Sequence, residues 1–84
     1  MAYEVVLKPS AQKDLDALPD REVERLAHRI ALLAVDPRPI GSQKLTNIEG
    51  YRVRSGSYRV LYVVDDALKK VSIYRIKHRK DAYR

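Results

Sequence analysis

The sequence predicts an α+β fold of two layers, a β-α-α-β-β-β chain whose helix hairpin packs on a mostly antiparallel, curved sheet. Three observations predict it. A short run of β-forming residues opens the chain, two stretches with helical periodicity follow, and the second half changes to a period of two. Because helices and strands are segregated along the chain, we expect a helix layer on one face of the sheet. At 84 residues, the chain is expected to form one domain spanning 1–84.

Prolines divide the first half of the chain into one strand and two helices. Residues 2–7 are rich in β-formers and predict the first strand. Ser10 is expected to cap a short helix over 11–18, and Asp20 to cap a longer helix that ends near residue 34. Each helix has one apolar face, made of Ala11, Leu15 and Leu18 in the first and of Val23, Leu26, Ala27, Ile30, Leu33 and Ala34 in the second. The two faces predict an antiparallel helix hairpin with one shared apolar side.

The second half of the chain predicts strands separated by turns. Three strands are predicted, with a further short edge strand before them: Tyr51–Ser55, Tyr58–Val64 and Val71–Ile76, and the edge strand near Gln43–Thr46. The Gly56-Ser57 pair is typical of a type II′ hairpin turn. The last strand is expected to lie beside the strand that follows this turn.

A two-residue turn at this position fixes the register of the hairpin. It places Arg54 opposite Arg59 and Arg52 opposite Leu61, on the face of the sheet away from the helices. The alternate residues face the core: Tyr51, Val53, Tyr58, Val60, Tyr62 and Val64. Like charges directly opposite each other destabilise a sheet, and a phosphate laid across the hairpin would offset that repulsion. The alternative is a solvated face whose guanidinium groups splay apart into water.

The positive charge of the chain is concentrated in its second half. The formal net charge is +6, from 17 Lys and Arg against 11 Asp and Glu. Residues 1–42 carry six basic and seven acidic side chains, whereas residues 43–84 carry eleven and four. This asymmetry predicts an anion-binding face, and nucleic acid is the commonest polyanionic partner. Simple solubility is the alternative explanation of a basic composition.

The composition excludes several classes of site. The chain has no Cys, which excludes disulfides, thiol chemistry and Cys-based zinc sites, and its two histidines are too few for a metal centre. We therefore expect no metal and no cofactor. No apolar run approaches the roughly 20 residues of a membrane span, and no signal peptide is recognisable. A cytoplasmic protein without a membrane partner is expected.

The C-terminal run RIKHRKDAYR adds basic side chains after the last predicted strand. A charged run at a terminus is usually a solvated tail. This run ends with an aromatic residue, Tyr83, next to basic neighbours. Its ring can stack on a base and its hydroxyl can exchange a proton. The run is therefore a second candidate for contact with nucleic acid.

Several segments together resemble the RelE/ParE superfamily of toxins from bacterial toxin–antitoxin pairs. They are GYRVRSGSYRVLYVVDD and the terminal IKHRKDAYR, with KPSAQKDLDALP, DPRP and the Lys44-Leu45 pair upstream. For the RelE branch, the resemblance implies a metal-independent endonuclease that cleaves messenger RNA in the ribosomal A site and inhibits translation. For the ParE branch, it implies the same architecture without the RNA-cleaving side chains, and inhibition of DNA gyrase.

The RelE-like expectation assigns roles to individual residues. The catalytic set is Arg59, Arg79, Tyr83 and His78, and the RNA-binding set is Lys44, Arg52, Arg54, Lys77 and Lys80. Arg59 is expected to hold the scissile phosphate, and Tyr83 to have the acid–base role. Arg52 and Arg54 stand where some relatives have lysine; since arginine keeps its charge, they are expected to be electrostatic clamps. His78 is a natural proton-transfer group, but strand parity points it away from Arg79, so a packed or capping role is the alternative.

The resemblance also implies partners. They are an acidic, RelB-like antitoxin, the ribosome with its messenger RNA, and operator DNA that is contacted only through the toxin–antitoxin complex. Two other functions remain alternatives on the sequence alone. One is a gyrase-inhibiting toxin of the same fold, and the other is a basic module that binds RNA or protein without catalysis.

Overall fold

In the computed structural model, which describes residues 2–80, two helices pack on one face of a five-stranded sheet. The elements in chain order are β1 (Glu4–Leu7), α1 (Pro9–Asp16), α2 (Asp20–Leu32), β2 (Gln43–Lys44), β3 (Tyr51–Ser55), β4 (Tyr58–Asp65) and β5 (Lys70–His78). The predicted two-layer α+β fold is confirmed. The predicted edge strand is present as β2, although it is shorter than expected.

The sheet has the strand order β1-β5-β4-β3-β2. The pairs β2–β3, β3–β4 and β4–β5 are antiparallel, whereas β1 runs parallel to β5 with Val5 in register with Val71. A parallel pair needs a long connection, and here the helix hairpin and three further strands separate its members along the chain. The sheet is therefore mostly antiparallel, as predicted, and β5 is a central strand.

The predicted register of the β3–β4 hairpin is confirmed residue by residue. Arg54 pairs with Arg59, and the pairs on either side follow the same alternation. Gly56 has a φ of 60° and Ser57 has a negative φ, which is the pattern of a type II′ turn. Because alternate side chains of a strand point to opposite faces, this register alone directs the hairpin arginines away from the helices.

One irregularity of β5 is essential to the core. The pairing of β4 with β5 shifts by one residue between Leu61 and Tyr62, which leaves Tyr74 as an extra residue in β5. In a regular strand, Ile73 and Ile76 would point to opposite faces. The bulge places both of them in the core, where each is almost completely buried.

The core lies between the helices and the sheet. Its buried apolar residues are Ala11, Leu26, Ile30, Leu33, Val53, Val60, Tyr62, Val71, Ile73 and Ile76. Burial of a large side chain of this kind contributes roughly 1.5–3 kcal/mol. Tyr62 is fully buried and its hydroxyl donates to the carbonyl of Pro37 at 2.7 Å, which satisfies a polar atom inside the core. Ala27, expected on the apolar face of α2, is exposed because it lies about 100° around the helix from Leu26.

The helix starts differ from the sequence prediction. The helix α1 begins at Pro9, the N-cap of α2 is Pro19, and neither helix has a side-chain cap. The predictions that Ser10 and Asp20 cap the helices are therefore wrong. The Ser10 hydroxyl instead donates to the carbonyl of Tyr74 at 2.6 Å and ties α1 to β5. In α1, the proline at the first helical position has no N–H, which removes one of the donors that lack a partner within the helix. Neither helix within residues 2–80 is long and apolar enough to cross a membrane.

Candidate nucleic-acid interface

Three basic residues lie in one row across the open face of the sheet. Arg54 on β3 is in register with Arg59 on β4, and Arg59 is in register with Lys77 on β5. Neighbouring strands are about 4.8 Å apart, so the backbone holds three cations side by side. Like charges in register destabilise a sheet, and an anion placed over the row would stabilise it. We call Arg52, Arg54, Arg59 and Lys77 the basic face.

Arg59, at the centre of the basic face, is only 4% exposed. Its Nη1 donates to the main-chain carbonyl of Arg79 at 3.1 Å, and the Arg79 amide donates to the carbonyl of Ser57 at 2.7 Å. These bonds fold the chain after β5 against the hairpin turn. The sequence predicted a face left to water or to a partner, so the burial of Arg59 is a correction. Among the described residues, the main chain of Arg79 contacts the hairpin here, and no local pattern predicts that contact.

A small cavity of about 60 Å³ opens beside Arg59. It is lined by Arg54, Gly56, Ser57, Tyr58, Arg59 and Arg79. Half of this lining is arginine, and the turn residues beside it are small. The volume is about that of two water molecules in the liquid. It therefore suits one tetrahedral anion that also extends into solvent, rather than a whole nucleotide.

The edge strand β2 separates two of the expected RNA-binding residues. Arg52 is in register with Gln43, and its Nη2 donates to the side-chain oxygen of Gln43. Lys44 is in register with Tyr51, whose ring packs against the core. Because successive side chains of a strand alternate, Lys44 is directed to the side opposite Arg52. The structure brings Arg52 to the basic face and does not bring Lys44 there.

His78, the last residue of β5, lies on the helix side of the sheet. It is in register with Tyr58, and their rings make an edge-to-face contact with centroids 5.2 Å apart. Its Nδ1 accepts a hydrogen bond from the amide of Lys80 at 3.2 Å. The structure thus separates His78 from the basic face, and Lys80 is exposed in the turn after β5. Tyr83, the expected acid–base residue, lies outside the described residues.

Arg25 of α2 is a basic residue near the hairpin turn that the sequence analysis did not place there. A Cβ built on Gly56 would lie 2.8 Å from its Nη1, so the guanidinium lies against the backbone of the turn. Gly56 in turn lines the small cavity. Helical periodicity shows only that Arg25 is on the polar side of α2, and nothing local indicates which distant turn it reaches. Positive charge therefore continues from the basic face around the turn to α2.

Two other arginines are neutralised by carboxylates. Arg75 binds Asp14 of α1, and Arg38 binds Asp66 after β4, each with a nitrogen–oxygen distance of 2.8 Å. Within the part of the chain that the structure describes, Arg54 forms no such ion pair. Arg54 is exposed and, among the described residues, has no carboxylate partner, whereas the charges of Arg38 and Arg75 are largely compensated.

A larger cavity of about 650 Å³ lies on the helix side, between α1 and the ends of β4 and β5. Arg75 and Asp14 form part of its wall. Burial raises the pKa of Asp14, but the hydrogen bonds from Arg75 and from the Ile76 amide outweigh it and hold the pKa below its usual value. The carboxylate therefore stays ionised beside Arg75. The positive charge of Arg75 in this cavity wall is compensated by Asp14, so a polyanion would gain little by binding there. We therefore place the candidate site on the basic face.

The basic face can bind a phosphodiester and stabilise additional negative charge on it. A guanidinium matches phosphate oxygens with two parallel hydrogen bonds, and donors that are fixed before reaction usually provide the largest catalytic term. Arginine does not transfer protons at accessible pH. Within residues 2–80, the basic face thus offers charge stabilisation and no proton acceptor. No cluster of His, Asp and Glu of the kind that binds a metal ion occurs in the same residues.

The chain is similar in sequence and in structure to known toxins. Residues 5–83 match the family model described as "ParE toxin of type II toxin-antitoxin system, parDE". Toxin RelG of Mycobacterium tuberculosis is 34% identical over 86 residues, which cover 100% of this chain and 99% of RelG. A chain of the RelBE2 toxin–antitoxin complex of the same organism has a TM-score of 0.85 at 29% identity, covering 94% of this chain and 100% of that chain. A chain of the RelE–RelB complex of Pyrococcus horikoshii has a TM-score of 0.79 at 29% identity, covering 94% and 97%.

These similarities agree with the fold and extend over nearly the whole sequence. The family match begins in β1 and continues past β5. The alignment with RelG covers both chains almost completely. The resemblance on which the sequence analysis relied is therefore confirmed. The chain belongs to the RelE/ParE superfamily of toxins from type II toxin–antitoxin systems.

Proposed function

We propose that this toxin is a ribosome-dependent endoribonuclease that cleaves messenger RNA without a metal ion and so inhibits translation. One observation carries the proposal. Arg54, Arg59 and Lys77 lie in register on three neighbouring strands, beside a small cavity that Arg79 also lines. Like charges in register repel each other, and an anion placed over them offsets that repulsion. Arginine pairs with phosphate oxygens through parallel hydrogen bonds, which supports a phosphodiester as the ligand.

In the proposed reaction, the RNA supplies its own nucleophile. The 2′-oxygen attacks the adjacent phosphorus while its proton passes to a base, and the bond from phosphorus to the 5′-oxygen breaks while that oxygen takes a proton from an acid. The products are a 2′,3′-cyclic phosphate and a 5′-hydroxyl. Arg59 and Arg79 stabilise the charge of the phosphorane. Tyr83 is the base in this proposal, since cations close to a tyrosine favour its phenolate form and Lys80 and Arg84 are close to it in the sequence.

The other basic residues would hold the RNA backbone. Arg52, Arg54 and Lys77 are positioned on the basic face, Lys80 lies at the turn after β5, and Lys44 would be an outer contact on the far side of β2. Contacts to phosphate fix the position of a strand but do not read its bases. We therefore infer that the ribosome presents the messenger, and that free RNA is a poor substrate.

We also infer an acidic antitoxin as the partner of this toxin in the cytoplasm. Both solved relatives described above were crystallised as toxin–antitoxin complexes. The formal net charge of +6 favours an acidic partner. Any contact with operator DNA would then be made through the antitoxin in the complex.

Primer extension on messenger RNA from cells expressing the toxin tests the nuclease proposal. We expect new 5′ ends within translated codons, and their disappearance when the initiation codon of the reporter is removed. Single-turnover cleavage on programmed ribosomes, with and without a chelator, tests the chemistry directly. Absence of cleavage by the folded wild-type protein on programmed ribosomes would contradict the proposal.

A gyrase-inhibiting toxin is the second candidate, because the family model that matches the chain is described by a ParE toxin. The two candidates differ in which process stops first after induction. A ParE-like toxin would lower DNA supercoiling while translation continues, whereas a RelE-like toxin would stop translation first. If neither process responds, the chain is a binding module without toxic activity.

A further inference from the structure

We propose that His78 is a positioning residue, whose Nδ1 holds the turn after β5 and thereby places Arg79 against Arg59. The inference rests on the proposed function, because these two arginines form its phosphate-binding pair. This positioning role differs from the proton-transfer role that a histidine suggests. The His78 side chain lies on the helix side of the sheet, yet it would fix the position of Arg79 beside the basic face on the opposite side.

Within residues 2–80, three hydrogen bonds hold the turn after β5. The Arg79 amide donates to the carbonyl of Ser57 at 2.7 Å, and the Arg79 carbonyl accepts from Nη1 of Arg59 at 3.1 Å. The amide of Lys80 donates to Nδ1 of His78 at 3.2 Å. The first two bonds attach one residue, Arg79, to the hairpin. The third bond joins His78 to Lys80, the residue after Arg79, and so closes the turn. Of these three bonds, it alone has a side-chain acceptor.

The ring that provides this acceptor is itself fixed. His78 is half-buried at the end of β5, and the edge-to-face contact with Tyr58 holds its ring at a centroid distance of 5.2 Å. A side-chain acceptor that binds the N–H two residues further along has the geometry of an Asx turn, in which Asp or Asn normally provides the acceptor. Here, the Nδ1 of a histidine takes the place of the Asn side-chain oxygen.

The position of His78 argues against proton transfer to RNA on the basic face. His78 is in register with Tyr58, which packs towards the core, whereas the preceding residue Lys77 is in register with Arg59. Successive side chains of a strand point to opposite faces. In addition, Nδ1 already accepts a main-chain N–H. The ring is therefore placed to support the turn and not to reach a phosphodiester held by Arg59.

The test compares three variants of full-length toxin: His78→Asn, His78→Gln and His78→Ala. The Asn side-chain oxygen lies where Nδ1 lies, one atom beyond Cγ, whereas the Gln oxygen lies one atom further out. Both amides lose the Tyr58 ring contact and neither transfers protons, so they are matched controls. For single-turnover cleavage on programmed ribosomes, we expect His78→Asn within about threefold of wild type and the other two about tenfold slower, the value of one hydrogen bond.

A second measurement separates this inference from the proposed function. Amide hydrogen exchange at Lys80, followed by NMR on each folded variant, reports on the turn without any RNA. We expect protection in the wild type and in His78→Asn, and its loss in His78→Gln and His78→Ala. If wild-type toxin cleaves nothing, the proposed function fails while the exchange pattern still decides the role of His78. Equal loss of cleavage in all three variants with intact Lys80 protection in His78→Asn would overturn the positioning role in favour of a role of the imidazole ring itself. Unchanged exchange in every variant would also overturn the inference.

Discussion

The two ends of the β3–β4 hairpin differ in how the protein neutralises its arginines. At the end away from the turn, Arg38 binds Asp66 at 2.8 Å and donates from Nε to the Tyr51 hydroxyl at 3.0 Å. The Tyr3 hydroxyl also donates to Asp66, at 2.7 Å. At the turn end, Arg54 lies in register with another arginine, and no carboxylate within residues 2–80 forms an ion pair with it. We call Tyr3, Arg38, Tyr51, Tyr62 and Asp66 the tyrosine end.

The difference separates Arg38, which an ion pair ties into the fold, from Arg54, which forms no ion pair with a carboxylate of residues 2–80. At the tyrosine end, the hydrogen-bond partners of the Arg38 guanidinium all belong to other segments, so the cluster joins the residue before β1, the loop after α2, β3 and the turn after β4. At the turn end, the basic face brings like charges together, which opposes folding. Substitutions at the tyrosine end should therefore change stability, and substitutions on the basic face should change activity.

The largest expected effect is the loss of cleavage in Arg59→Ala. Removing one preorganised donor from a site of this kind lowers the rate by about 10²–10³, and single-turnover cleavage on programmed ribosomes measures it. The matched control is Arg38→Ala, which removes the same side chain at the tyrosine end and should leave the rate of the folded fraction unchanged. Urea unfolding of both variants is needed, because Arg59 is buried. Equal cleavage rates for the two variants would remove the distinction between the ends.

The largest effect on stability is expected for Gly50→Ala. Gly50 precedes β3 with a φ of 124°, and a Cβ there would lie 2.6 Å from the Tyr62 carbonyl oxygen. Backbone strain together with the steric clash should lower the free energy of unfolding by about 3 kcal/mol. Gly41→Ala is the control, because φ is 97° there but the added Cβ is 3.9 Å from its nearest neighbour, an Arg29 nitrogen. Gly41→Ala should lower the free energy of unfolding by about 1 kcal/mol. If urea unfolding finds that both variants lose the same stability, the close contact of residue 50 with β4 is unimportant.

An intermediate effect is expected for Tyr62→Phe. The substitution keeps the ring and its stacking on Tyr51, at a centroid distance of 5.9 Å, but leaves the Pro37 carbonyl without the hydroxyl donor. Loss of a buried hydrogen bond should lower the free energy of unfolding by about 1–2 kcal/mol, with little change in cleavage rate. Thermal unfolding and single-turnover cleavage on the same preparation check it. A change in cleavage without a change in stability would link the tyrosine end to catalysis.

A smaller effect of opposite sign is expected for Arg54→Gln. This substitution removes one charge from the row on the basic face, so the free energy of unfolding should rise by about 0.5 kcal/mol while RNA cleavage becomes slower. Arg38→Gln, the same change at the tyrosine end, should lower stability. Urea unfolding at low and at high salt measures both variants. Salt screens the repulsion between the arginines, so high salt should remove most of the stability gained in Arg54→Gln. A destabilised Arg54→Gln would show that the row is not repulsive.

The smallest effect is expected in acid. The hydrogen bonds from Arg38 and Tyr3 hold the pKa of Asp66 at about 2, against roughly 3.9 for an unfolded aspartate. A lowered pKa contributes stability above the unfolded value, and this contribution is lost as pH falls from about 4 towards 2. The urea midpoints of wild type and Asp66→Asn should therefore differ at pH 6 and converge near pH 2. A constant difference between pH 6 and pH 2 would contradict the role of the carboxylate.

The sequence predicted those features of the site that depend on neighbouring residues. The register of β3 with β4 follows from one two-residue turn and a strict period of two, so the placement of Arg54 opposite Arg59 needed no tertiary information. Lys77, by contrast, joins the row because β5 pairs with β4 through a bulge at Tyr74. A bulge changes strand parity by one residue, and a period-two pattern contains no sign of where it occurs. Its position was therefore not predictable from local sequence.

Other features depended on contacts between distant segments. The burial of Arg59, the contact of Arg25 with the turn and the ion pair of Arg38 with Asp66 all join residues far apart in the chain. The prediction that Ser10 caps α1 was wrong for a related reason, because the Ser10 hydroxyl donates to a carbonyl of β5 and not to its own helix. A residue that has both a local and a distant partner available cannot be assigned from its neighbours alone.

The order of elements, the two faces of the hairpin and the excess of positive charge in the second half were thus determined by the sequence itself, because alternation and turn chemistry act over a few residues. Only the tertiary structure decided which arginines pair with a carboxylate among the described residues 2–80. Charge compensation requires a carboxylate within about 4 Å, and for Arg38 and Arg75 the fold brings that carboxylate from a distant part of the chain.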